Sequence, residues 1–181
     1  MLWGRANQFI DGESFSEAAE FLDALAGRTP DDCEVFRVRA QLRWRIGDYR
    51  GALADFDGAQ RLDGRNAEVS LQKAEFLAEM GFLDRALVCC QPVASRVDAE
   101  SHPAAGAFFL MGQIDLNRAN YDGALENFSR AIALDPSDPE ARARRGLLYL
   151  MIGRTNEADQ DFARAEKIRV QAESAEEESE A

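Results

Sequence analysis

Five alanines recur along this chain at near-constant intervals, and their spacing constrains the fold more than any other feature of the sequence. Intervals of 34, 34, 38 and 34 residues separate Ala18, Ala52, Ala86, Ala124 and Ala158. A second column, of small residues, keeps the same register: Ala6, Ala40, Ala74, Gly112 and Gly146. A third follows each alanine by four positions: Leu22, Phe56, Cys90, Phe128 and Phe162. Self-similarity at a period of about 20–50 residues is typical of stacked repeats, in which each unit buries its apolar face against its neighbours.

The clearest repeat covers residues 105–138, which the pattern predicts to be two amphipathic helices. Apolar residues recur at helical spacing on both sides of a short polar turn at residues 117–120. Asp135 and Pro136 prevent the second helix from continuing. Asp138 and Pro139 then supply an N-cap and a proline at the first position of the next helix.

This segment resembles the tetratricopeptide repeat (TPR), a helix–turn–helix unit of about 34 residues. The columns of that family are occupied here by Phe108, Gly112, Ala119, Tyr121, Ala124, Phe128, Ala131 and Pro136. Only the turn glycine is replaced, by Ala119, and it reappears in other repeats as Gly47, Gly81 and Gly153. The resemblance implies an all-α fold, a right-handed α-solenoid of stacked antiparallel helix pairs (a TPR superhelix).

The same frame divides the chain into five repeats and a tail. The TPR domain spans residues 1–172, with repeats at about 1–32, 33–66, 67–104, 105–138 and 139–172. The acidic tail, residues 173–181, is either an extension of the last helix or disordered.

Some positions depart from the repeat pattern. Arg43 and Asp115 occupy a column that is apolar in other repeats, and we expect them to reach the surface or to pair with a neighbour. The third repeat has Cys90 in the aromatic column, Pro92 within its second helix and four extra residues. Because proline removes a helix hydrogen bond, we expect a bend or an extended loop over residues 92–103, with Ser101–Pro103 restarting the helix.

Composition argues against several classes of function. The net charge of −12 disfavours a nucleic-acid partner, whose phosphates select basic surfaces. No apolar run approaches the roughly 18 residues of a membrane span. The first ten residues have neither a basic leader nor a long apolar block, so we expect no secretory signal and a cytoplasmic location.

Catalytic and metal-binding patterns are not found in the sequence. The single histidine, His102, has no metal-spaced cysteine or second histidine beside it, which argues against zinc. Catalysis by a Cys–His pair would require a cysteine such as Cys90 to meet His102, and nothing in the spacing favours that. Phosphate-binding and nucleophile-elbow motifs are also missing from the sequence. We therefore expect no enzyme activity and no cofactor.

The TPR resemblance also implies where a partner binds, because the first helix of each repeat lines a concave groove in that family. The groove columns hold Trp3, Asn7, Arg37, Gln41, Trp44, Leu71, Glu75, Ala78, Phe109, Gln113, Leu116, Ala143, Leu147 and Leu150. The main candidates for partner contacts are Arg37, Gln41, Trp44, Leu71, Glu75, Phe109, Gln113 and Leu116. Trp44 and Phe109 have an alternative interpretation, which is packing between repeats.

Chaperone-binding TPR domains hold the terminal carboxylate of Hsp70 or Hsp90 with a clamp of Lys, Asn, Asn, Lys and Arg. In none of the three possible frames do the corresponding positions carry that cationic set. The sequence predicts instead a non-enzymatic adaptor that binds a peptide or helix of a protein partner whose identity is open.

A structural scaffold acting through its solenoid ends is the alternative. The apolar face of the last helix (Phe162, Ala165 and Ile168) is expected to lack a covering repeat, so a second copy of the chain stays open as a partner.

Overall fold

The computed structural model describes residues 15–96 and 102–180, and every regular element within these ranges is an α-helix. The helices are α1 (Phe15–Arg28), α2 (Cys33–Arg45), α3 (Tyr49–Leu62), α4 (Ala67–Glu79), α5 (Leu83–Ala94), α6 (His102–Asn117), α7 (Tyr121–Leu134), α8 (Pro139–Met151) and α9 (Thr155–Glu180). The chain divides into two compact units, Met1–Met80 and Gly81–Ala181. In the first, α2 packs against α3; in the second, α6 packs against α7 and α8 against α9. All-α helix pairs, as the sequence predicts, are the observed architecture.

The five regularly spaced alanines lie in the cores of these units. All five have no exposed surface: Ala18, Ala52, Ala86, Ala124 and Ala158. The column four residues later is also fully buried at Leu22, Phe56, Cys90 and Phe128, while Phe162 is half-buried. Small residues at these positions let two helices approach closely, and the larger ones fill the space beside the contact.

The small-residue column sets how closely paired helices approach. A Cβ atom added at Gly112 on α6 would lie 2.8 Å from the Phe128 ring on α7. At Gly146 on α8 it would lie 2.9 Å from the Phe162 ring on α9. At these two glycines, each ring therefore occupies the volume that a Cβ atom would need.

The helix boundaries follow local signals in the sequence. The turn glycines Gly47, Gly81 and Gly153 have φ of 82°, 80° and 79°, a region that side chains disfavour. Ala119, which replaces the glycine of the fourth repeat, adopts φ 57°. The side chain of Asp138 accepts a hydrogen bond from the Glu140 amide at 2.8 Å and caps α8, as predicted.

Pro92 does not interrupt its helix. Residues on both sides of it belong to α5, which ends at Ala94, so the loop expected from residue 92 is wrong at that end. Helix α6 begins at His102, which confirms the restart expected at Ser101–Pro103. Val88, whose carbonyl loses its donor to the proline ring, is 66% exposed, and water satisfies such a carbonyl at small cost. Residues 97–101 lie outside the described ranges, as do Trp3, Asn7 and the rest of residues 1–14.

Of the two possibilities for the acidic tail, the structure has the helical extension. Helix α9 runs from Thr155 to Glu180 and includes nearly all of residues 173–181. It is twice as long as α8, its partner of 13 residues, so its last turns extend past the paired segment.

Candidate partner-binding surface

Arg37 organises the predicted groove positions of the first unit. From α2 it donates hydrogen bonds to Glu34, to Gln41 at 3.4 Å, and to Gln72 on α4 at 3.0 Å. Its bond to the Glu34 carboxylate raises the pKa of Arg37 and lowers that of Glu34. Glu68 lies 3.8 Å from the same guanidinium. Arg37 is therefore engaged within the chain and joins the first helices of two successive repeats.

A cleft of about 610 Å³ opens beside the C-terminal end of α2. Its lining consists of Gln41, Leu42, Trp44, Arg45, Tyr49 and Glu79. Two of these, Gln41 and Trp44, are sequence-predicted groove residues. The cleft thus brings together the end of α2, the start of α3 and the end of α4.

Two aromatic side chains of this cleft rest on one buried ring. The Trp44 ring meets Phe76 edge-on, with centroids 5.6 Å apart and planes at 83°. The Tyr49 ring lies 6.5 Å from the same Phe76, which is only 2% exposed. Trp44 is half-buried and Tyr49 is 49% exposed. Trp44 therefore packs against the next repeat and keeps part of its surface exposed, and its contact with a partner stays a prediction.

Helix α4 contributes two carboxylates to this surface. Glu75 and Glu79 are exposed, lie one helical turn apart, and have no ion-pair partner among residues 15–96 and 102–180. The protein around Glu75 raises the pKa of its carboxyl, first because it removes water from the charged form and second because Glu68 is a nearby like charge. Leu71, the remaining predicted groove residue of α4, is half-buried.

The predicted positions of the second unit are partly core. The Phe109 ring lies 5.9 Å from Phe128, and Phe109 and Leu116 pack against the cluster of Ala124, Phe128 and Leu148. Both are half-buried, as is Gln113 on the same helix. Phe109 therefore packs on Phe128 of its own repeat and joins a cluster with Leu148 of the next repeat, and its role as a contact residue stays a prediction.

An exposed apolar stripe lies on α8. Leu147, Leu150 and Met151 are 48%, 44% and 61% exposed. Their spacing of three and four residues places them on one helix face. Leu147 and Leu150 belong to the predicted groove columns, whereas Met151 was not foreseen, although its position four residues after Leu147 was a usable signal.

Four residues of the cleft were missed by sequence reasoning: Leu42, Arg45, Tyr49 and Glu79. Tyr49 stands in the aromatic column that the repeat pattern assigns to packing, yet nearly half of its surface is exposed. The signal was the Gly47–Asp48 turn, which returns the chain and sets the start of α3 beside the end of α2.

The two charged residues in the apolar column pair with neighbours, as expected. Arg43 bonds the carboxylates of Asp55 at 2.8 Å and Asp23 at 3.0 Å. Asp115 accepts hydrogen bonds from Asn120 at 3.0 Å and Asn127 at 2.8 Å.

The face of the last helix that was expected to lack cover is largely covered, while self-association through the solenoid ends stays a prediction. Ala165 is 2% exposed, and the Phe162 ring lies against Gly146 of α8, so that face is covered within the unit. Ile168 is half-buried, and the larger exposed apolar side chain of α9 is Val170, at 50%.

The residues weighed for catalysis lie in unlike surroundings. Cys90 is fully buried, while the His102 side chain is 84% exposed, with Nε2 3.7 Å from an Asp135 carboxylate oxygen.

Within the described ranges, no three His, Cys, Asp or Glu side chains are arranged to hold a metal ion. None of the described helices is both long and apolar enough to cross a bilayer.

Comparison with known proteins agrees with this fold. Residues 112–153 match the family described as TPR repeat. MamA 41-end from Desulfovibrio magneticus RS-1 matches with a TM-score of 0.75 and 19% identity, over 94% of each chain. PilF of Pseudomonas aeruginosa matches with a TM-score of 0.82 and 16% identity, over 92% of this chain and 74% of that one.

PilW, a type IV pilus biogenesis factor, matches with a TM-score of 0.80 and 16% identity, over 91% of this chain and 74% of that one. At these identities the likeness is one of fold. It confirms the α-solenoid of helix pairs that the repeat pattern predicts.

Proposed function

We propose that this chain, whose residues 112–153 match the TPR repeat family, is a non-enzymatic module that binds a protein segment through the first helices of its repeats. One observation carries the proposal: Gln41 and Trp44, one turn apart in the predicted groove columns, both line the cleft of about 610 Å³. Ligand pockets of proteins fall in this size range and combine aromatic walls with a few polar groups. Trp44 and Tyr49 would act as rigid aromatic anchors for the segment.

The second unit offers a surface of a different character. The stripe of Leu147, Leu150 and Met151 exposes adjacent apolar side chains, and such patches mark interaction sites. The bound segment is accordingly extended or an amphipathic helix with apolar anchors. Recognition of a terminal carboxylate is not supported. Arg37 is the one lysine or arginine among the predicted groove columns, and it already bonds Glu34.

Affinity purification with mass spectrometry tests the proposal. Wild type is compared with Trp44→Ala for the first unit, and with Leu147→Glu plus Leu150→Glu for the second. Val88→Ala is the matched control, because Val88 is an exposed apolar residue on α5, outside the predicted groove columns. We expect the groove variants to lose partners that wild type and Val88→Ala retain.

Two further measurements make the result decisive. Unfolding by urea shows whether each variant keeps its fold, so that lost binding is not mistaken for lost structure. Equal partner recovery by wild type and both folded groove variants would contradict the proposal. Sedimentation velocity at high protein concentration separates partner binding from self-association.

A further inference from the structure

We propose that the cleft of the first unit receives a basic side chain, lysine or arginine, from the bound segment. The inference rests on the proposed function and narrows it to one chemical class of anchor. Two features of the cleft point to a cation: partly exposed aromatic rings at Trp44 and Tyr49, and the carboxylate of Glu79 in its lining, with exposed Glu75 one helical turn earlier on α4.

The carboxylates are placed to act together. Residues four apart on a helix have Cβ atoms about 5–6 Å apart, so Glu75 and Glu79 present two carboxylates on one face of α4. Glu79 itself lines the cleft with the two aromatic residues. A lysine or arginine in the cleft therefore reaches at least one carboxylate while its aliphatic stem contacts the rings.

These two charges differ from the other acids on the same surface. Glu34 bonds Arg37, and Glu68 lies 3.8 Å from it, so both have a cation within the chain. In the described part of the chain, Glu75 and Glu79 have none. A cation from a partner supplies the missing counter-charge, whereas an acidic side chain would meet repulsion.

The surroundings of Glu75 add independent support. Its carboxyl pKa is raised because the neighbouring protein removes water and because Glu68 repels it. In the unbound protein the ionised form of Glu75 is therefore disfavoured, and a bound cation stabilises that ionised form.

The aromatic rings contribute a second attraction. A cation within about 6 Å of a tryptophan or tyrosine ring centre is attracted to the ring face. Tyr49 is 49% exposed, and Trp44 is fixed edge-on against buried Phe76, so neither ring needs to unpack before a ligand arrives. Preorganised rings reduce the entropy lost on binding.

Arg45 opposes the incoming charge and supplies a sharp test. It lines the cleft at the last position of α2, where the helix dipole favours a cation. Its positive charge weakens the attraction of a lysine or arginine. Removal of Arg45 should therefore strengthen binding, whereas removal of Glu75 or Glu79 should weaken it.

The experiment selects peptides from a random library displayed on phage against the full chain and measures the affinity of the best peptide by titration. We expect one position of the selected peptides to be enriched in lysine and arginine. Replacement of that residue by glutamine, or the protein change Glu75→Gln plus Glu79→Gln, should each lower affinity about tenfold. Combined, they should lower it little further, because both remove the same contact.

Two controls complete the set. Arg45→Gln should raise the affinity severalfold, and Glu20→Gln, which alters an exposed carboxylate on α1 outside the cleft, should leave it unchanged. Peptides that require Trp44 but show no basic preference, or that bind Glu75→Gln plus Glu79→Gln as tightly as wild type, overturn the inference and leave the proposed function intact. A selection in which no peptide depends on Trp44, Leu147 or Leu150 contradicts the proposed function itself.

Discussion

Arg39 donates hydrogen bonds from Nε and Nη2 to the two carboxylate oxygens of Asp55, at 2.8 and 2.7 Å. Asp55 is 3% exposed. The second unit repeats the arrangement, where Arg145 donates to both oxygens of Asp161 at 2.8 Å. In each case the arginine lies on the first helix of a repeat and the aspartate on the second, so a bidentate ion pair ties the two helices together.

Asp55→Ala is expected to destabilise the first unit by about 1.5–3 kcal/mol, because Arg39 and Arg43 lose their buried carboxylate and keep only exposed ones, Asp23 among them. Urea unfolding measures the loss. The matched control is Glu126→Ala on α7, whose partner Arg130 is 55% exposed. This exposed pair should contribute less than about 1 kcal/mol. Equal effects of the two substitutions would mean that burial does not set the strength of these pairs.

Gly112→Ala should destabilise the second unit by about 1–3 kcal/mol. The new methyl group would lie 2.8 Å from the Phe128 ring, and this overlap exceeds the gain of about 1 kcal/mol in helix propensity. Gly27→Ala near the end of α1 is the control, since nothing lies within 4 Å of the added atom and only the propensity gain remains. Thermal unfolding should therefore shift in opposite directions for the two changes. A stabilised Gly112→Ala would contradict the close approach of α6 and α7.

Ala119→Gly should stabilise the second unit by about 1 kcal/mol. Ala119 has φ 57°, a left-handed conformation that costs an alanine about 1–2 kcal/mol and glycine almost nothing. The same exchange at Ala163, exposed in the interior of α9, should instead destabilise by about 1 kcal/mol, because glycine lowers helix propensity. The midpoints of urea unfolding give both signs. If Ala119→Gly destabilises the protein as Ala163→Gly does, this account of the turn is wrong.

Glu75→Gln should increase stability at pH 7. The folded-state pKa of Glu75 is raised above the unfolded value, so the ionised form is disfavoured on folding. This penalty is present above the folded pKa and vanishes as the pH falls below the unfolded value of about 4.3. Wild type and variant should therefore converge in acid and separate at neutral pH, as followed by the urea midpoint.

Glu157→Gln is a control of opposite sign. Arg154 lowers the pKa of Glu157 by a hydrogen bond, so its stabilisation is present at neutral pH and lost as the pH falls through the lowered pKa. This variant should be less stable than wild type at pH 7. Identical midpoints of Glu75→Gln and wild type at pH 7 would refute the penalty. Loss of basic-peptide binding by the stabilised Glu75→Gln would show that this carboxylate serves binding at the expense of stability.

The repeat architecture could be predicted from the chain alone because its causes are local or periodic. Ala86 is buried for the same reason as Ala52, since every repeat packs through the same contact. Turn glycines and the Asp138 cap act within a few residues, so their spacing predicts helix ends. The effect of Pro92 was predicted wrongly because the free-energy cost of a proline in a helix depends on the exposure of the carbonyl that loses its donor. Here that carbonyl belongs to exposed Val88, and the sequence alone does not give its exposure.

The candidate site depended on tertiary structure more than the repeat architecture did. Its columns follow from the repeat register, but whether a column residue is free to bind depends on what packs beside it. Phe109 is half-buried because Phe128 lies against it, and Arg37 is engaged because Gln72 reaches it from the next repeat.

The alanine spacing determined which residues pair two helices, because identical repeats must bury identical faces. Only the folded chain decided that Tyr49 and Glu79 meet Trp44 in one cleft. These residues come from three helices, and their distance depends on the summed packing of all the side chains between those helices. Periodicity specifies the contacts that every repeat shares, while a binding site is built from the positions at which the repeats differ.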